Sequence, residues 1–330
     1  MNIKNFFIIF FHILFKNKLV LINSPLQFIN FIEFLYLKKK SDSKIYCRYV
    51  FLGYLSNREI SIIHYLNKKL NFNNLLIISF SNNINVFILH ILVKLRKFFL
   101  KKYNQIIFGD YNYYLFKEFY KISNSRIMLD DGTNSLEFKK FFKLDKDNLK
   151  IFTFFNKKIF KYEKIIENKF LYLKNILKKK GIKKHRAIGY FIGSPYVELD
   201  ILTVEQYNFY IKNVLDKNKN INFIYVPHPR EISDNYNKYN FLKILKSNYN
   251  LELFLINNSF YPKVIVGSYS TLFLTIKSIF GNQLDLKSYS FIVSAKKKAQ
   301  RYSVYYDRLE LINNYFKKNN IFTKKIIINV

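Results

Sequence analysis

This sequence predicts an α/β protein of two doubly wound parallel sheets, on three observations. Short apolar runs rich in β-branched and aromatic residues alternate with helix-length stretches. Most of those runs stop at a polar Gly, Pro, Ser or Asp turn, the mark of a strand handing over to a helix. The alternation breaks once, over residues 133–184, and then resumes, dividing 330 residues into two parts of ordinary domain size.

The elements follow in order. Lys18 to Asn23 is a first strand, and Ser24-Pro25-Leu26-Gln27 turns it into a helix. Ser24 is a good N-cap, and Pro25 sits at the first helical position, where its missing N–H costs nothing. That helix runs to Leu37 and ends in Lys38-Lys39-Lys40, which suits the negative end of its dipole. Ile45 to Leu52 is a second strand, closed by Gly53, and Asn57 caps a helix to Leu70. Leu75 to Phe80 is a third strand and Asn83 to Leu100 a third helix. Gln105 to Phe108 ends at Gly109-Asp110, a tyrosine-rich helix runs to Lys121, and Arg126 to Leu129 ends at Asp130-Asp131-Gly132. These elements make a first domain of residues 1–150. Residues 151–185, within a Lys- and Phe-rich stretch without a strong strand, are expected to be a helical or loop connector. Residues 186–330 make the second domain. There Ala187 to Ile192 ends at Gly193-Ser194-Pro195, and Thr203 caps a helix. Asn222 to Val226, Leu251 to Ile256 and Val264 to Val266 read as strands. Ser270 and Thr271 open a helix to Phe280, and Ser290 to Val293 and Ile326 to Val330 complete the sheet. A cleft between the two domains is the expected binding region.

Composition narrows the function. Half the residues are apolar and 19% are aromatic, enough for a large core and too apolar for a disordered chain. The formal charge of +33 fits a basic face for an anionic partner: nucleic acid, nucleotide, acidic glycan or lipid. Lys, Asn, Ile, Phe and Tyr dominate, the profile an AT-rich genome writes, so codon bias explains part of that charge. One cysteine, Cys47, excludes an internal disulfide and a Cys-rich zinc site. Five scattered histidines without a His-x-x-x-His pair give no metal site. The run Phe6 to Phe15 is shorter than the roughly 20 residues needed to span a bilayer. It also lacks a small-residue cleavage site. Both an interfacial helix with Lys4, Lys16 and Lys18 at the headgroups and a buried first helix fit it.

Three polar turns at strand ends can carry chemistry. Asp130-Asp131-Gly132 pairs two carboxylates, of which an extended backbone aims only one in a given direction, and Gly132 permits a tight bend. Neighbouring acids raise one another's pKa, as a general base requires, although a solvated Asp-Gly turn has the same sequence. Pro227-His228-Pro229-Arg230 stops the strand Asn222–Val226 and holds His228 in a stiff, extended segment. Gly267-Ser268-Tyr269-Ser270-Thr271 sets hydroxyls at the mouth of a helix, which serves equally as a phosphate site and as a plain N-cap. The chain has no P-loop, no Gly-x-Gly-x-x-Gly and no Gly-x-Ser-x-Gly elbow, which disfavours ordinary NTPases, dinucleotide enzymes and α/β-hydrolases.

Taken in order, these turns resemble those of bacterial sialyltransferases of the GT-B type. The family 52 lipooligosaccharide sialyltransferases and the capsular polysialyltransferases are most similar. The resemblance covers Ser24-Pro25-Leu26-Gln27 with Asn30 and Glu33, and Phe191 to Glu198, where the family more often has Gln before the proline. It continues in Tyr225 to Glu231 and in Ser268 to Leu272. It implies a GT-B fold of two Rossmann-like domains, acceptor-side and CMP-binding. It also implies inverting transfer of sialic acid from CMP-sialic acid to a glycan hydroxyl, with no cofactor and no essential metal. By that analogy Asp131 is the general base and His228 serves the departing phosphate. Pro229, Ser268, Ser270 and Thr271 line the CMP site, with Asp130, Gly132, Ser24, Gln27 and Arg230 in support. The resemblance also allows a base from the second domain, in which case Glu198 is the candidate and Asp131 is structural. The implied setting is the cytoplasmic face of a bacterial inner membrane, with no nucleic-acid partner; a homodimer is left open. Two other readings compete: a CDP-activated polyol-phosphate transferase, which often carries an Asp beside the hydroxyl pair, and a basic membrane- or nucleic-acid-binding protein. No Asp follows Thr271, and no helix-turn-helix, zinc-finger or RNP pattern is visible.

Overall fold

The structure is a computed structural model. It describes residues 11, 18–40, 49–53, 55–70, 75–79, 91–98, 102–109, 119, 121–130, 132, 148–155, 164–181, 183–232, 242–245, 247, 250–258, 260–293 and 311–328. The chain divides into two units, Met1–Tyr172 and Leu173–Val330.

The first unit is a parallel sheet of seven strands: β1 (Lys18–Ile22), β2 (Tyr49–Leu52), β3 (Leu76–Ser79), β4 (Gln105–Phe108), β5 (Arg126–Leu129), β6 (Leu149–Thr153) and β7 (Ile165–Glu167). Their spatial order is β3-β2-β1-β4-β5-β6-β7, so the winding reverses between β1 and β4. That reversal opens the crevice in which doubly wound sheets take ligands. Helices α1 (Pro25–Lys40), α2 (Asn57–Leu70) and α3 (residues 91–98) belong to this unit. α1 is buried nearly all round from Gln27 to Leu35. Phe28, Phe31 and Phe34 fill its apolar side, and Phe34 meets Phe152 of β6 edge-on at 5.3 Å. Gln27, Asn30 and Glu33 form a buried polar stripe at i, i+3, i+6. Burying them without partners would be costly, and each makes a specific hydrogen bond.

The second unit is a parallel sheet of six strands: β8 (Lys183–Ile192), β9 (Asn222–Val226), β10 (Lys243–Ile244), β11 (Phe260–Gly267), β12 (Asp285–Val293) and β13 (Phe322–Ile328). The order is β10-β9-β8-β11-β12-β13, with the reversal between β8 and β11. Helices α4 (Leu171–Lys180), α5 (Val204–Asp216), α6 (Leu251–Asn257), α7 (Thr271–Phe280) and α8 (residues 311–318) complete the described elements. Thr203 caps α5 through a full capping box with Gln206. The core over β8, β9 and β11 to β13 is aromatic: Phe191, Tyr207, Tyr210, Tyr225, Tyr289 and Phe291 are all buried.

Three sequence expectations are corrected. Residues 151–185 are not a connector: β6 and β7 extend the first sheet, and α4 leads directly into β8. These are short strands, five and three residues long, with β7 at the sheet edge; Lys150 and Glu167 interrupt their apolar positions, so no long apolar run announces them. Leu251–Ile256 is helical, not a strand. Six apolar residues cannot tell a buried strand from a buried helix by periodicity, and Asn250 sits in the N-cap conformation that starts a helix. β11 runs back from Val264 to Phe260 through Pro262. The proline is tolerated because β12 joins only from Val264 onward, and a register shift between Pro262 and Val264 absorbs the irregularity. The expected helix over Phe6–Phe15 lies outside the described residues, apart from Phe11. So do most of the tyrosine-rich helix before Lys121 and Asp131 itself.

Candidate functional site

In the second unit, the histidine turn, the hydroxyl turn and the turn after β8 stand at the carboxyl edge of one sheet. β9 and β11 flank β8, so the histidine turn and the hydroxyl turn are two strand spacings apart, roughly 10 Å. A ligand seated over the end of β8 reaches both.

The histidine turn is held tightly. Gly193 at the end of β8 donates its N–H to Val226 O at 2.8 Å. The turn is closed by Glu231, whose N–H donates to His228 O at 3.0 Å and whose Oε2 accepts the His228 N–H. Glu231 Oε1 accepts the Tyr225 hydroxyl at 2.5 Å. Inside this loop Arg230 N–H donates to His228 Nδ1 at 3.1 Å. A backbone N–H can only donate, so Nδ1 is the unprotonated nitrogen and the neutral ring carries its proton on Nε2. His228 is therefore arranged as a hydrogen-bond donor through Nε2. Pro227 is buried beneath it, Pro229 is half-buried and Arg230 is exposed. From the preceding turn, Glu198 Oε1 accepts the Ile232 N–H at 3.0 Å, so Glu198 braces the far end of the same loop.

A chain of phenols underlies these turns. Ser194 N–H donates to Tyr207 Oη at 2.9 Å, and Tyr207 and Tyr225 hydroxyls are 3.3 Å apart. Burial pushes the pKa of both phenols well above the usual tyrosine value, so both remain protonated. Tyr196 spans to the third turn and donates to Ser268 Oγ at 2.6 Å.

The hydroxyl turn divides its labour. Ser268 is 2% exposed and joined to Tyr196, which makes it a tie between β8 and β11 and puts it beneath the mouth of the turn. Ser270 is the N-cap of α7: its extended backbone places Oγ to accept Leu272 N–H at 3.3 Å. Thr271 begins α7 and is half-buried. The first turn of α7 has no acidic residue, so no carboxylate there offsets the positive end of its dipole. This is a suitable seat for a phosphate.

In the first unit the residues singled out serve the scaffold. Ser24 Oγ accepts Gln27 N–H at 3.2 Å, and Gln27 Oε1 accepts Asn23 N–H at 2.6 Å. Gln27 also fills the space above Gly109, where a Cβ would stand 2.0 Å from its side chain. Asp130 is fully buried: its Oδ2 accepts Thr153 Oγ1–H at 2.5 Å and Phe154 N–H at 3.1 Å. Its carbonyl accepts Asn30 Nδ2–H at 3.0 Å, and Asn30 Oδ1 accepts from Asn168 at 2.9 Å. Glu33 Oε2 accepts Tyr172 N–H at 3.0 Å. Gly132 adopts φ +71°, the left-handed conformation that glycine supplies cheaply.

Glu231, Tyr207, Tyr225 and Tyr196 are site residues that the sequence does not single out. The signal for one pair was present: a tyrosine in the middle of a buried strand must find a polar partner, and an acid three residues past a histidine at a strand end is placed to supply it. Among the described residues, no group of three or more His, Cys, Asp or Glu side chains could hold a metal ion, and no helix is long and apolar enough to cross a membrane.

Fold and turns together define a two-unit α/β protein of the doubly wound class. Its second unit carries three polar turns at the carboxyl edge of one sheet. No protein-family model and no curated protein matches the sequence. The solved structures similar to it include two sialyltransferases. One is an α/β-galactoside α-2,3-sialyltransferase from the luminous marine bacterium Photobacterium phosphoreum, 12% identical, covering 93% of this chain and 97% of that one, with a TM-score of 0.45. The other is a sialyltransferase from Photobacterium damselae, residues 113–497 corresponding to its GT-B domain, 11% identical, covering 93% of this chain and 100% of that one, with a TM-score of 0.46.

Proposed function

We propose that the chain is an inverting, metal-independent glycosyltransferase of the GT-B type that moves sialic acid from CMP-sialic acid to a hydroxyl of a surface glycan. The observation that carries this reading is the Nε2-protonated His228 on the same sheet edge as the N-terminus of α7. The leaving group of such a donor is the CMP phosphate, and its negative charge grows as the bond to the sugar breaks. A fixed donor and a helix N-terminus stabilise charge where it develops. In this reading the acceptor hydroxyl gives its proton to Asp131 and its oxygen bonds to the anomeric carbon. The carbon–phosphate-oxygen bond breaks, and His228 hydrogen-bonds or protonates the departing CMP. Ser270, Thr271 and the first-turn amides of α7 hold that phosphate; Pro229 and Arg230 border it.

In this reading the enzyme works at the cytoplasmic face of the inner membrane. α3 supports this: Ile91, Leu95 and Phe98 share one face at i, i+4, i+7 and are 41%, 37% and 76% exposed, beside exposed Lys94 and Lys97. Apolar residues among lysines suit an anionic bilayer surface.

The deciding assay incubates the full chain with CMP-sialic acid and lactose-, galactose- and sialyl-terminated acceptors, with CDP-glycerol as the competing donor. Release of CMP coupled to a sialylated product is the expected result. Turnover of CDP-glycerol alone would move the protein to polyol-phosphate transfer, and turnover of neither would remove the enzymatic reading. His228→Ala should lower turnover by about 10² to 10⁴ in a folded protein, the range for acid–base groups.

A further inference from the structure

We propose that Glu231 is the positioning residue of this site, holding His228 in the Nε2–H tautomer by bracing its turn at both ends. The tautomer follows from geometry alone; its catalytic use rests on the reading of His228 as the donor to the leaving phosphate.

Three hydrogen bonds define the brace. Glu231 N–H closes the turn on His228 O at 3.0 Å, and Glu231 Oε2 takes the His228 N–H. Only in a turn closed this way does Arg230 N–H reach back to His228 Nδ1, at 3.1 Å. Both carboxylate oxygens of Glu231 accept, the second from Tyr225 at 2.5 Å. The direction of the phenol chain is thereby fixed. Tyr225 spends its proton on Glu231, so in the 3.3 Å pair Tyr207 is the donor, and Tyr207 accepts from Ser194 N–H at 2.9 Å. The series Ser194, Tyr207, Tyr225, Glu231 runs one way and ends on a carboxylate 8% exposed. Gly193 completes the fit: a Cβ there would stand 2.3 Å from Glu231 Oε2 and 2.5 Å from Tyr225 Oη. The acid therefore joins the turns after β8 and β9 into one unit.

An amide cannot replace it. Gln at 231 has one acceptor and one donor end, whereas both neighbours donate. Turned toward His228 N–H, it presents N–H₂ to Tyr225, which must then reverse its proton toward Tyr207. Tyr207 then accepts from both Ser194 N–H and Tyr225, and its own proton loses Tyr225 as its acceptor. Turned the other way, two donors face each other at His228 and the turn opens. Either arrangement loosens the geometry that keeps Nδ1 as acceptor.

The test is ring-nitrogen NMR of ¹⁵N-histidine-labelled full-length protein, with His228 identified by the signal lost in His228→Ala. Wild type should show His228 as the Nε2–H tautomer. Glu231→Gln should raise the Nδ1–H population, and Tyr225→Phe, which keeps the acid and removes one donor, should raise it less. An unchanged His228 tautomer in folded Glu231→Gln overturns the proposal. If that variant fails to fold, an unchanged tautomer in Gly193→Ala, whose added Cβ displaces Glu231, does so. Donor hydrolysis is read in parallel: kcat should fall by up to about 10²-fold, with the KM for donor little changed. A shifted tautomer with unchanged kcat supports the positioning role and overturns the catalytic reading of His228.

Discussion

Gly193→Ala puts a methyl group where there is no room for one. Its Cβ would lie 2.3 Å from Glu231 Oε2, 2.5 Å from Tyr225 Oη and 2.8 Å from Tyr225 Cζ. Real contacts of this kind stay beyond 3.0 Å, so Glu231 and Tyr225 must move. Tyr225 cannot go far: it is fully buried and stacked on Phe191 at 5.6 Å between ring centroids. Glu231 must therefore leave, and with it go the bonds from Tyr225 and from His228 N–H. Hydrogen bonds to a charged group are each worth about 1.5–3 kcal/mol net, so their loss costs about 3–6 kcal/mol. A carboxylate swinging outward regains hydration, which brings the expected cost to about 2–4 kcal/mol. That is below the roughly 5–15 kcal/mol by which folded proteins are stable, so the variant should still fold. The assay is equilibrium urea unfolding beside Gly181→Ala. At Gly181, φ is +59° and a Cβ added there would meet no atom within 4 Å, so only backbone strain of about 1–2 kcal/mol applies. If Gly193→Ala costs no more than Gly181→Ala, the argument that Glu231 is wedged against Gly193 is refuted.

Three further outcomes are expected. Ser270→Ala with Thr271→Val should weaken CMP binding by calorimetry about tenfold, the loss of roughly 1–2 kcal/mol of hydrogen bonding, with acceptor KM unchanged. Unchanged CMP affinity would reduce this turn to an ordinary cap. Glu252 is buried and its carboxyl pKa is raised by desolvation, partly offset by the Thr275 hydroxyl at 2.7 Å. The folded state therefore holds its proton above the pH at which the unfolded chain releases it, and stability falls as pH rises through that window. Glu252→Gln should raise Tm at neutral pH, with the gain shrinking on acidification in calorimetric scans; a gain that grows instead would contradict the sign. Leu95→Asp with Phe98→Asp should cut co-sedimentation with phosphatidylglycerol vesicles several-fold while neutral vesicles stay unbound, and equal binding by wild type and variant would remove α3 from any membrane contact.

The sequence is most readable where one chemical rule acts alone. The strand Asn222–Val226 and its end at Pro227 follow from β-branched content and the missing proline N–H, and both are present in the structure. The helix opened by Ser270 and Thr271 follows from capping chemistry. Reading fails where partners distant in sequence decide the outcome. β6 is a strand because β5 offers it an edge, and β7 because β6 does, and no local pattern announces those edges. Leu251–Asn257 is a helix that buries Leu251, Leu253, Leu255 and Ile256 and half-buries Phe254. Within the candidate site, the placement of His228, Ser270 and Thr271 at strand-end turns is readable from the sequence. Glu231 stands in the same stretch as His228, where it is placed to meet a buried tyrosine hydroxyl, but its second bond, to His228 N–H, shows only in the folded turn. Its partners Tyr225 and Gly193 come to it through the fold and not through adjacency.

The choice of general base can be argued from what the other carboxylates already do. A base must offer a lone pair to the acceptor hydroxyl and take its proton. Glu231 has both oxygens committed, to Tyr225 and to His228 N–H. Asp130 is fully buried, with Oδ2 accepting from Thr153 and Phe154 N–H. Glu198 accepts Ile232 N–H at 3.0 Å through Oε1, and its removal would loosen the histidine loop. Each of these acids fastens a turn through its oxygens, and lone pairs engaged that way are not offered to an acceptor hydroxyl. Asp131, the acid beside the braced Asp130, is therefore the proposed base. Asp131→Asn should abolish transfer to acceptor while CMP binding stays intact. Glu198→Gln retains an acceptor for Ile232 N–H and should keep substantial activity. Asp130→Asn should show its loss in Tm more than in turnover. Transfer rates, CMP affinity and melting temperature measured on the three variants check the assignment. An active Asp131→Asn beside an inactive, folded, CMP-binding Glu198→Gln would reverse it and make Glu198 the base.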